Sequence, residues 1–215
     1  MSRPHRTSGF TLVELLAVLV VIAILGFLIG PAIVSSLRGS EMTRGGQLVV
    51  DEINLARQTS LTQNVAVEVR FYRAAKAGMP GEITGDPSTG KFRGLQSFSF
   101  DASGKASPID MPRWLPGTLI MDSGGALSSL LAASQVKSWS TLDPQISLPV
   151  IGTAYVACAF QFQPDGSTNL TPAVTQQWFV TLHDALKGDN LAGMPTNFWT
   201  LQVDPLNGHV KSYRP

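Results

Sequence analysis

The pattern of apolar and polar positions sets the amino-terminal end apart from the rest of the chain. Residues 10–32 form a strongly apolar run with a single charged residue, Glu14. As an α-helix rising 1.5 Å per residue, this run would be about 34 Å long, enough for a hydrocarbon core of about 30 Å. The pattern therefore predicts a transmembrane helix over residues 10–34.

The charges around this run predict its orientation. Arg3 and Arg6 precede it, and residues 1–9 contain no acid. Basic residues favour the cytoplasmic side of a membrane, so we expect a single-pass protein with its N-terminus in the cytoplasm and the rest exported. Arg38 and Arg44 follow the run and weaken that bias.

Residues 35–64 are predicted to continue as an amphipathic helix. The expected apolar face holds Leu48, Ile53, Ala56 and Leu61 with Val49 and Val50, and the expected polar face holds Asp51, Glu52 and Arg57. Gly45 and Gly46 lower the helix propensity. The pattern therefore predicts two helical parts with a soft joint over residues 38–46.

From Val65 onward the period changes to the alternation that is typical of β-strands. Strands are predicted at 65–72, 91–100, 119–121, 151–163 and 178–182, with a closing hairpin of 198–203 and 209–213 and a short helix or loop at 125–134. The expected fold class is α+β, with a long N-terminal helix followed by an antiparallel sheet. Residues 65–215 would form an exported globular head with long loops.

Composition narrows the classes of function. Charged residues make up 14% of the chain, against about 25% in an average globular protein. The net charge is +1 and the basic residues form no stripe, so nucleic-acid binding is not expected. The one cysteine, Cys158, cannot form an intrachain disulfide and is expected to be a small buried thiol.

Glu14 is the residue that ordinary membrane segments leave unexplained. A carboxylate within a membrane helix is costly and usually functional. A secretory signal peptide would account for the basic start and the apolar core. A plain transmembrane anchor would account for the length, but neither accounts for an acid at the head of the run.

The stretch Gly9-Phe10-Thr11-Leu12-Val13-Glu14 resembles the processing site of the type IV prepilin family. The resemblance implies that a prepilin peptidase removes residues 1–9 as a leader, cutting between Gly9 and Phe10, and methylates the new Phe10 amine. It also implies that Glu14 pairs with the Phe10 amine of a neighbouring pilin or pseudopilin subunit, since a buried carboxylate is tolerated when it is paired. Pro31 matches a proline that many of these helices carry and that allows local bending.

A second resemblance covers most of the chain. Leu55-Ala56-Arg57 followed by Val65–Val69, the turn Phe162–Gly166 and the hairpin Val203–Val210 resemble the minor pseudopilin H and FimT-like group. A narrower likeness, to Verru_Chthon cassette protein D, rests on Asn54–Gln58, Val67–Tyr72, Met121–Gly124 and Leu127–Leu130. Both imply a pilin-like fold, in which the lower half of the long helix packs on the antiparallel sheet of the head. Neither implies a specific task for the head.

Motifs for other chemistry are incomplete. Gly85–Lys91 fits part of a phosphate-binding loop, but Phe92 stands where a Ser or Thr would bind magnesium. His183-Asp184 could be half of a catalytic triad, but no G-x-S-x-G elbow supplies a nucleophile. His183 and His209 lack metal-ligand spacing and are expected at the surface or at strand ends. Asp165–Asn169 resembles the start of a calcium loop but lacks the closing glutamate.

The resemblance to prepilins, beside these incomplete motifs, therefore implies a structural (minor) subunit of a type IV pilus or type II secretion pseudopilus-like assembly, not an enzyme. The expected partners are the prepilin peptidase, other pilin subunits and membrane lipid, with no cofactor, metal or small-molecule substrate. Two alternatives stay open. One is a membrane-tethered binding module that uses the loop 74–90 as its binding surface, and the other is an anchored hydrolase that uses His183.

Overall fold

The computed structural model describes residues 11–132, 136–172 and 177–215, with the side chains of all of these except 28–35. The chain divides into two compact units, residues 1–40 and 41–215. Helix α1 (Leu12–Gln63) is continuous over 52 residues. The predicted division into two helical parts at 38–46 is therefore wrong, although the boundary between the two compact units lies within that range.

Gly45 and Gly46 explain that error, because they serve close packing rather than flexibility. A Cβ atom at Gly45 would lie 2.6 Å from Cδ1 of Leu119, and one at Gly46 would lie 2.3 Å from the ring of Trp199. The missing side chains let the strands that carry Leu119 and Trp199 approach the helix. The apolar packing that this approach allows offsets the propensity cost of about 1 kcal/mol per glycine.

Within residues 41–63, α1 buries one stripe at helical spacing: Met42, Gly45, Gly46, Val49, Glu52, Ile53, Ala56, Thr59 and Ser60. Ile53 and Ala56 confirm the predicted apolar face. Glu52, predicted on the polar face, is only 1% exposed, because it follows Val49 by three residues on the same stripe. Leu61, predicted on the apolar face, is 42% exposed because it falls beside the stripe.

The C-terminal end of α1 is closed by its backbone. Asn64 adopts the left-handed conformation with φ of 54°. The N–H of Val65 donates to the carbonyl of Ser60 at 3.3 Å, a bond that satisfies one of the free carbonyls of the last turn. Arg57 Nε donates to the carbonyl of Asn207 at 2.9 Å and so attaches this last part of α1 to the head.

The head is built on an antiparallel sheet. Its strands are β1 (Val67–Ala74), β2 (Lys91–Phe100), β3 (Ala106–Pro108), β4 (Arg113–Trp114), β5 (Leu119–Met121), β6 (Lys137–Ser138), β7 (Val156–Phe162), β8 (Trp178–Asp184), β9 (Trp199–Val203) and β10 (Val210–Tyr213). The strand order is β10-β9-β8-β5-β2-β1-β7-β6, and β3 and β4 also pair with β2. The α+β prediction is confirmed.

Most predicted strands lie within two residues of the observed ones, with one larger difference. The strand predicted from residue 151 begins at Val156, because residues before it form a turn in which Leu148 pairs with Gly152. Gly152 has φ of 67°, which breaks the extended run. Strands β3, β4 and β6 were not predicted, since two or three residues are too few to show a period.

Both faces of the sheet are covered. On β1, Val67, Val69 and Phe71 belong to the core cluster that includes the buried stripe of α1. Tyr72 and Ala74 belong to a second cluster, on the opposite face, with Leu142, Leu148, Tyr155 and Ala157. Side chains of β1 therefore point into two apolar layers, one on each face of the sheet, rather than into a core on one face and solvent on the other.

Replacing Gly46 by alanine is expected to destabilise the protein by about 1–3 kcal/mol, because the new methyl group overpacks against the Trp199 ring. Chemical denaturation of the full-length chain in detergent would measure this. Gly39→Ala is the matched control on the same helix, since a Cβ there meets nothing within 4 Å. It should be neutral or gain up to about 1 kcal/mol of helix propensity. Equal effects of the two substitutions would contradict the packing role of Gly46.

Candidate functional site

Thr11 and Glu14 form a helix cap at the first turn of α1. The N–H and Oγ1 of Thr11 both donate to Oε2 of Glu14, each at 2.8 Å. The N–H of Glu14 donates back to Oγ1 of Thr11 at 3.3 Å. This is a capping box, in which two side chains satisfy free N–H groups at a helix start. The role of Thr11 was missed from the sequence, although the T-x-x-E spacing indicates it.

The other predicted site residues are Gly9, Phe10 and Pro31. Gly9 and Phe10 lie outside the described residues. Pro31 lies within the bounds of α1, and its side chain is outside the described set. Their roles in processing and assembly stay predictions.

The first turns of α1 expose an apolar surface. Each large apolar side chain from Leu12 to Phe27 is at least 50% exposed. These positions surround the helix rather than forming one stripe, and a helix that is apolar all round requires burial by lipid or by other helices. Among the residues described with their side chains, no helix is long and apolar enough to cross a membrane.

A second carboxylate on α1, that of Glu52, connects the helix to the sheet. Its Oε1 accepts a hydrogen bond from Oγ of Ser97 on β2 at 2.6 Å. Its Oε2 lies 3.2 Å from Nε of Arg113 on β4, within ion-pair distance but without hydrogen-bond geometry. Burial raises the pKa of Glu52, outweighing the opposite effects of Ser97 and Arg113. Both partners belong to the fold, so Glu52 has a structural role.

His183, the candidate base of the hydrolase alternative, lies at the end of β8 and is fully buried. Its Nε2 lies 2.9 Å from Oδ2 of Asp122, and its Nδ1 lies 3.0 Å from the carbonyl of Asp184. Both ring nitrogens are therefore engaged within the fold. His183 thus has the strand-end position that was one of the two expected for it, and its side chain is buried. Asp122 also accepts a hydrogen bond from the N–H of Leu191, so its carboxylate links His183 to the segment that carries Leu191.

The loop of residues 75–90 is held against the head. The guanidinium of Arg93 donates to both carboxylate oxygens of Glu82, at 2.7 and 2.5 Å, and both side chains are buried. Although burial raises the pKa of Glu82, the hydrogen bonds from Arg93 and Lys76 lower it overall. Lys91, the lysine of the phosphate-loop pattern, pairs with Asp189 at 3.3 Å. These contacts do not favour the phosphate-binding interpretation.

The remaining candidates are also engaged in the fold. Cys158 is buried on β7, and burial raises its pKa to about 12, as expected for an inert thiol. The carboxylate of Asp165 accepts from the N–H and Oγ of Ser167, at 2.9 and 2.7 Å, which closes a turn. The part of the chain that the structure describes contains no cluster of three or more His, Cys, Asp or Glu side chains suited to a metal ion.

The amino-terminal sequence matches a known motif. Residues 4–30 match the family model of the prokaryotic N-terminal methylation motif. The match includes Gly9, Phe10 and Glu14, and it confirms the resemblance to prepilins at this end of the chain. No curated protein sequence matches the chain significantly.

Two solved structures are similar to the chain at low identity. One is the type IV minor pilin FimU of Pseudomonas aeruginosa, with 14% identity and a TM-score of 0.42 over 82% of this chain and 93% of that chain. The other is the minor pseudopilin EpsH from the type 2 secretion system of Vibrio cholerae. It has 9% identity and a TM-score of 0.43 over 81% of this chain and 98% of that chain.

Proposed function

We propose that the protein is a structural subunit of a type IV pilus or a type II secretion pseudopilus-like assembly. The proposal rests on two features that occur in the same segment. The methylation motif at residues 4–30 overlaps a helical segment that exposes apolar side chains all round and carries one acid, Glu14. A peptidase motif alone would serve export, but a surface of this kind also requires other helices or lipid to cover it.

The proposal gives each segment a task. Residues 1–9 are a leader that prepilin peptidase removes between Gly9 and Phe10. Residues 10–34 hold the precursor in the bacterial inner membrane and then pack among neighbouring helices. Residues 35–64 continue the helix, and residues 65–215 form the exported head. Membrane lipid covers the apolar helix before assembly, and other pilin or pseudopilin subunits cover it afterwards.

Two finer assignments belong to the same proposal. The quoted motifs of the head support a place in the minor pseudopilin H and FimT-like group, with Verru_Chthon cassette protein D as the narrower candidate. We also assign the chain no enzymatic role. The engagement of both His183 nitrogens supports this assignment, because a general base must reach its substrate.

Sheared surface fibres test the proposal against the tethered binding module. We expect the processed chain in the fibre fraction, because an assembled subunit is released with the fibre and a tethered module stays with the membrane. The control is an integral membrane protein without the motif, which should be absent from that fraction. Recovery of the chain from membranes alone, in cells with abundant fibres, would favour the binding module.

A further inference from the structure

Glu52 is a buried carboxylate that its surroundings compensate only in part. It is 1% exposed, on the stripe of α1 that packs on the sheet. Its Oε1 accepts a hydrogen bond from Oγ of Ser97 at 2.6 Å, and among the described residues its Oε2 accepts none. Burial without full hydrogen bonding costs a carboxylate much more free energy than it costs the neutral acid. The geometry therefore disfavours the ionised form of Glu52.

The charges that face Glu52 do not remove this cost. Nε of Arg113 lies 3.2 Å from Oε2, but the Arg113 side chain is 45% exposed and its Nη2 donates to Asp110 at 2.7 Å. Solvent and Asp110 therefore weaken the attraction between Arg113 and Glu52. Asp110 also disfavours a second negative charge nearby. On α1 itself, the adjacent Asp51 is exposed and accepts a hydrogen bond from Gln47.

The hydroxyl of Ser97 suits either form of Glu52. A serine hydroxyl can donate to a carboxylate or, after rotation about its C–O bond, accept from a carboxylic acid. Ser97 is fully buried on β2, and its carbonyl accepts from the N–H of Ile109 at 2.9 Å, so the backbone holds it in place. The contact between α1 and β2 can thus persist when Glu52 gains or loses a proton, while its strength changes.

We propose that Glu52 is a pH-sensitive latch, which holds α1 on β2 more tightly as a neutral acid than as a carboxylate. The inference goes beyond the proposed function and is independent of it, because all of these residues lie in the 41–215 unit. An ion-pair latch between Glu52 and Arg113 is the opposite arrangement, since it would be tightest when Glu52 is ionised.

The pH dependence of the latch has a definite sign. Burial raises the pKa of Glu52 above its ordinary value of 4.5, and the effects of Ser97 and Arg113 oppose this without cancelling it. Above pH 4.5 the folded chain therefore keeps a proton that the unfolded chain releases. The stability that Glu52 contributes is fully present below pH 4.5 and is lost as the pH rises through the pKa of the folded state.

Denaturant unfolding of the full-length chain in detergent, at pH 4.5 and at about pH 8, tests the latch. Glu52→Gln keeps the shape of the side chain and is neutral at both pH values. We expect the unfolding constant of the wild type, divided by that of Glu52→Gln, to rise between the two pH values. The rise should be about tenfold for each unit by which folding raises the pKa of Glu52.

Asp51→Asn is the matched control, because Asp51 is the adjacent acid on α1 and is exposed. The same ratio for this variant should change much less with pH. A ratio for Glu52→Gln that is equal at both pH values would overturn the latch. A ratio that falls at the higher pH would also overturn it, and would indicate the ion-pair latch with Arg113 instead.

Titration of the Glu52 side-chain carboxyl carbon by NMR, in the full-length wild-type chain, tests the proposal even if Glu52→Gln fails to fold. We expect a midpoint above pH 4.5. Arg113→Gln should raise that midpoint further, because the charge of Arg113 favours the ionised form of Glu52. A wild-type midpoint at or below pH 4.5 would overturn the latch and leave the proposed function untouched.

Discussion

Replacing Glu14 by alanine is expected to reduce incorporation of the chain into fibres by at least tenfold, with the head still folded. Removing the carboxylate makes the helix more apolar, which favours its retention in lipid, and it removes the one acid of residues 10–32, which we propose pairs with a neighbouring amine. The head should be unaffected, because the hydrogen bonds of the Glu14 side chain go to Thr11. Immunoblots of sheared and membrane fractions would measure the effect.

Thr11→Val separates pairing between subunits from helix capping. It removes the hydroxyl that donates to Glu14 and keeps the carboxylate, so it should cost about 1 kcal/mol of local helix stability. Assembly should therefore continue with this variant. Equal loss with Thr11→Val and Glu14→Ala would mean that capping is what matters. Normal incorporation of Glu14→Ala would contradict any role for Glu14 in assembly.

Replacing Arg70 by alanine is expected to lower the free energy of unfolding by about 3–5 kcal/mol, since it breaks a buried ion pair. Arg70 is 1% exposed on β1, and its Nε donates to Oε1 of Glu68 at 2.5 Å. Its guanidinium also donates to the carbonyls of Asp143 and Pro144 and lies over the ring of Phe98, 4.2 Å from the centroid. Arg70 thus holds the segment around Asp143 and Pro144, which covers the second face of the sheet.

Thermal unfolding of the full-length chain in detergent would test this effect. At roughly 2–4 °C per kcal/mol for a domain of this size, the midpoint should fall on the order of 10 °C. Lys105→Ala is the control, because Lys105 is exposed and a surface substitution of this kind usually changes stability by less than about 0.5 kcal/mol. A similar midpoint for both variants would contradict the structural role of Arg70.

The sequence predicted the fold wherever a period repeats over several residues. β2 was placed at both ends, because its ten residues sit between a glycine-rich loop and a turn that Asp101 closes by accepting the N–H of Ser103. Prediction failed where contacts with a distant part of the chain decide whether a residue is buried. Glu52 looks polar along the helix, and only Ser97 and Arg113, which come from distant strands, make its burial tolerable. In the sequence, Gly45 and Gly46 indicate a flexible joint. Their close packing against Leu119 and Trp199 depends on the folded structure.

In the candidate site, too, local features could be predicted from the sequence and a contact with another molecule could not. The methylation motif is local, so it could be predicted from six consecutive residues, and the family model matches it over residues 4–30. Cleavage between Gly9 and Phe10 stays a prediction. The cap between Thr11 and Glu14 is also local and could have been predicted from its spacing. The pairing of Glu14 with a second subunit depends on a molecule outside this chain, so it stays a prediction.

The most direct measurement of the central claim is the intact mass and N-terminal sequence of the native protein, isolated from membranes and from fibres. The account predicts a chain that begins at Phe10 with one methyl group on its amine. A chain that still begins at Met1 would contradict processing between Gly9 and Phe10 and, with it, assembly through a Phe10 amine.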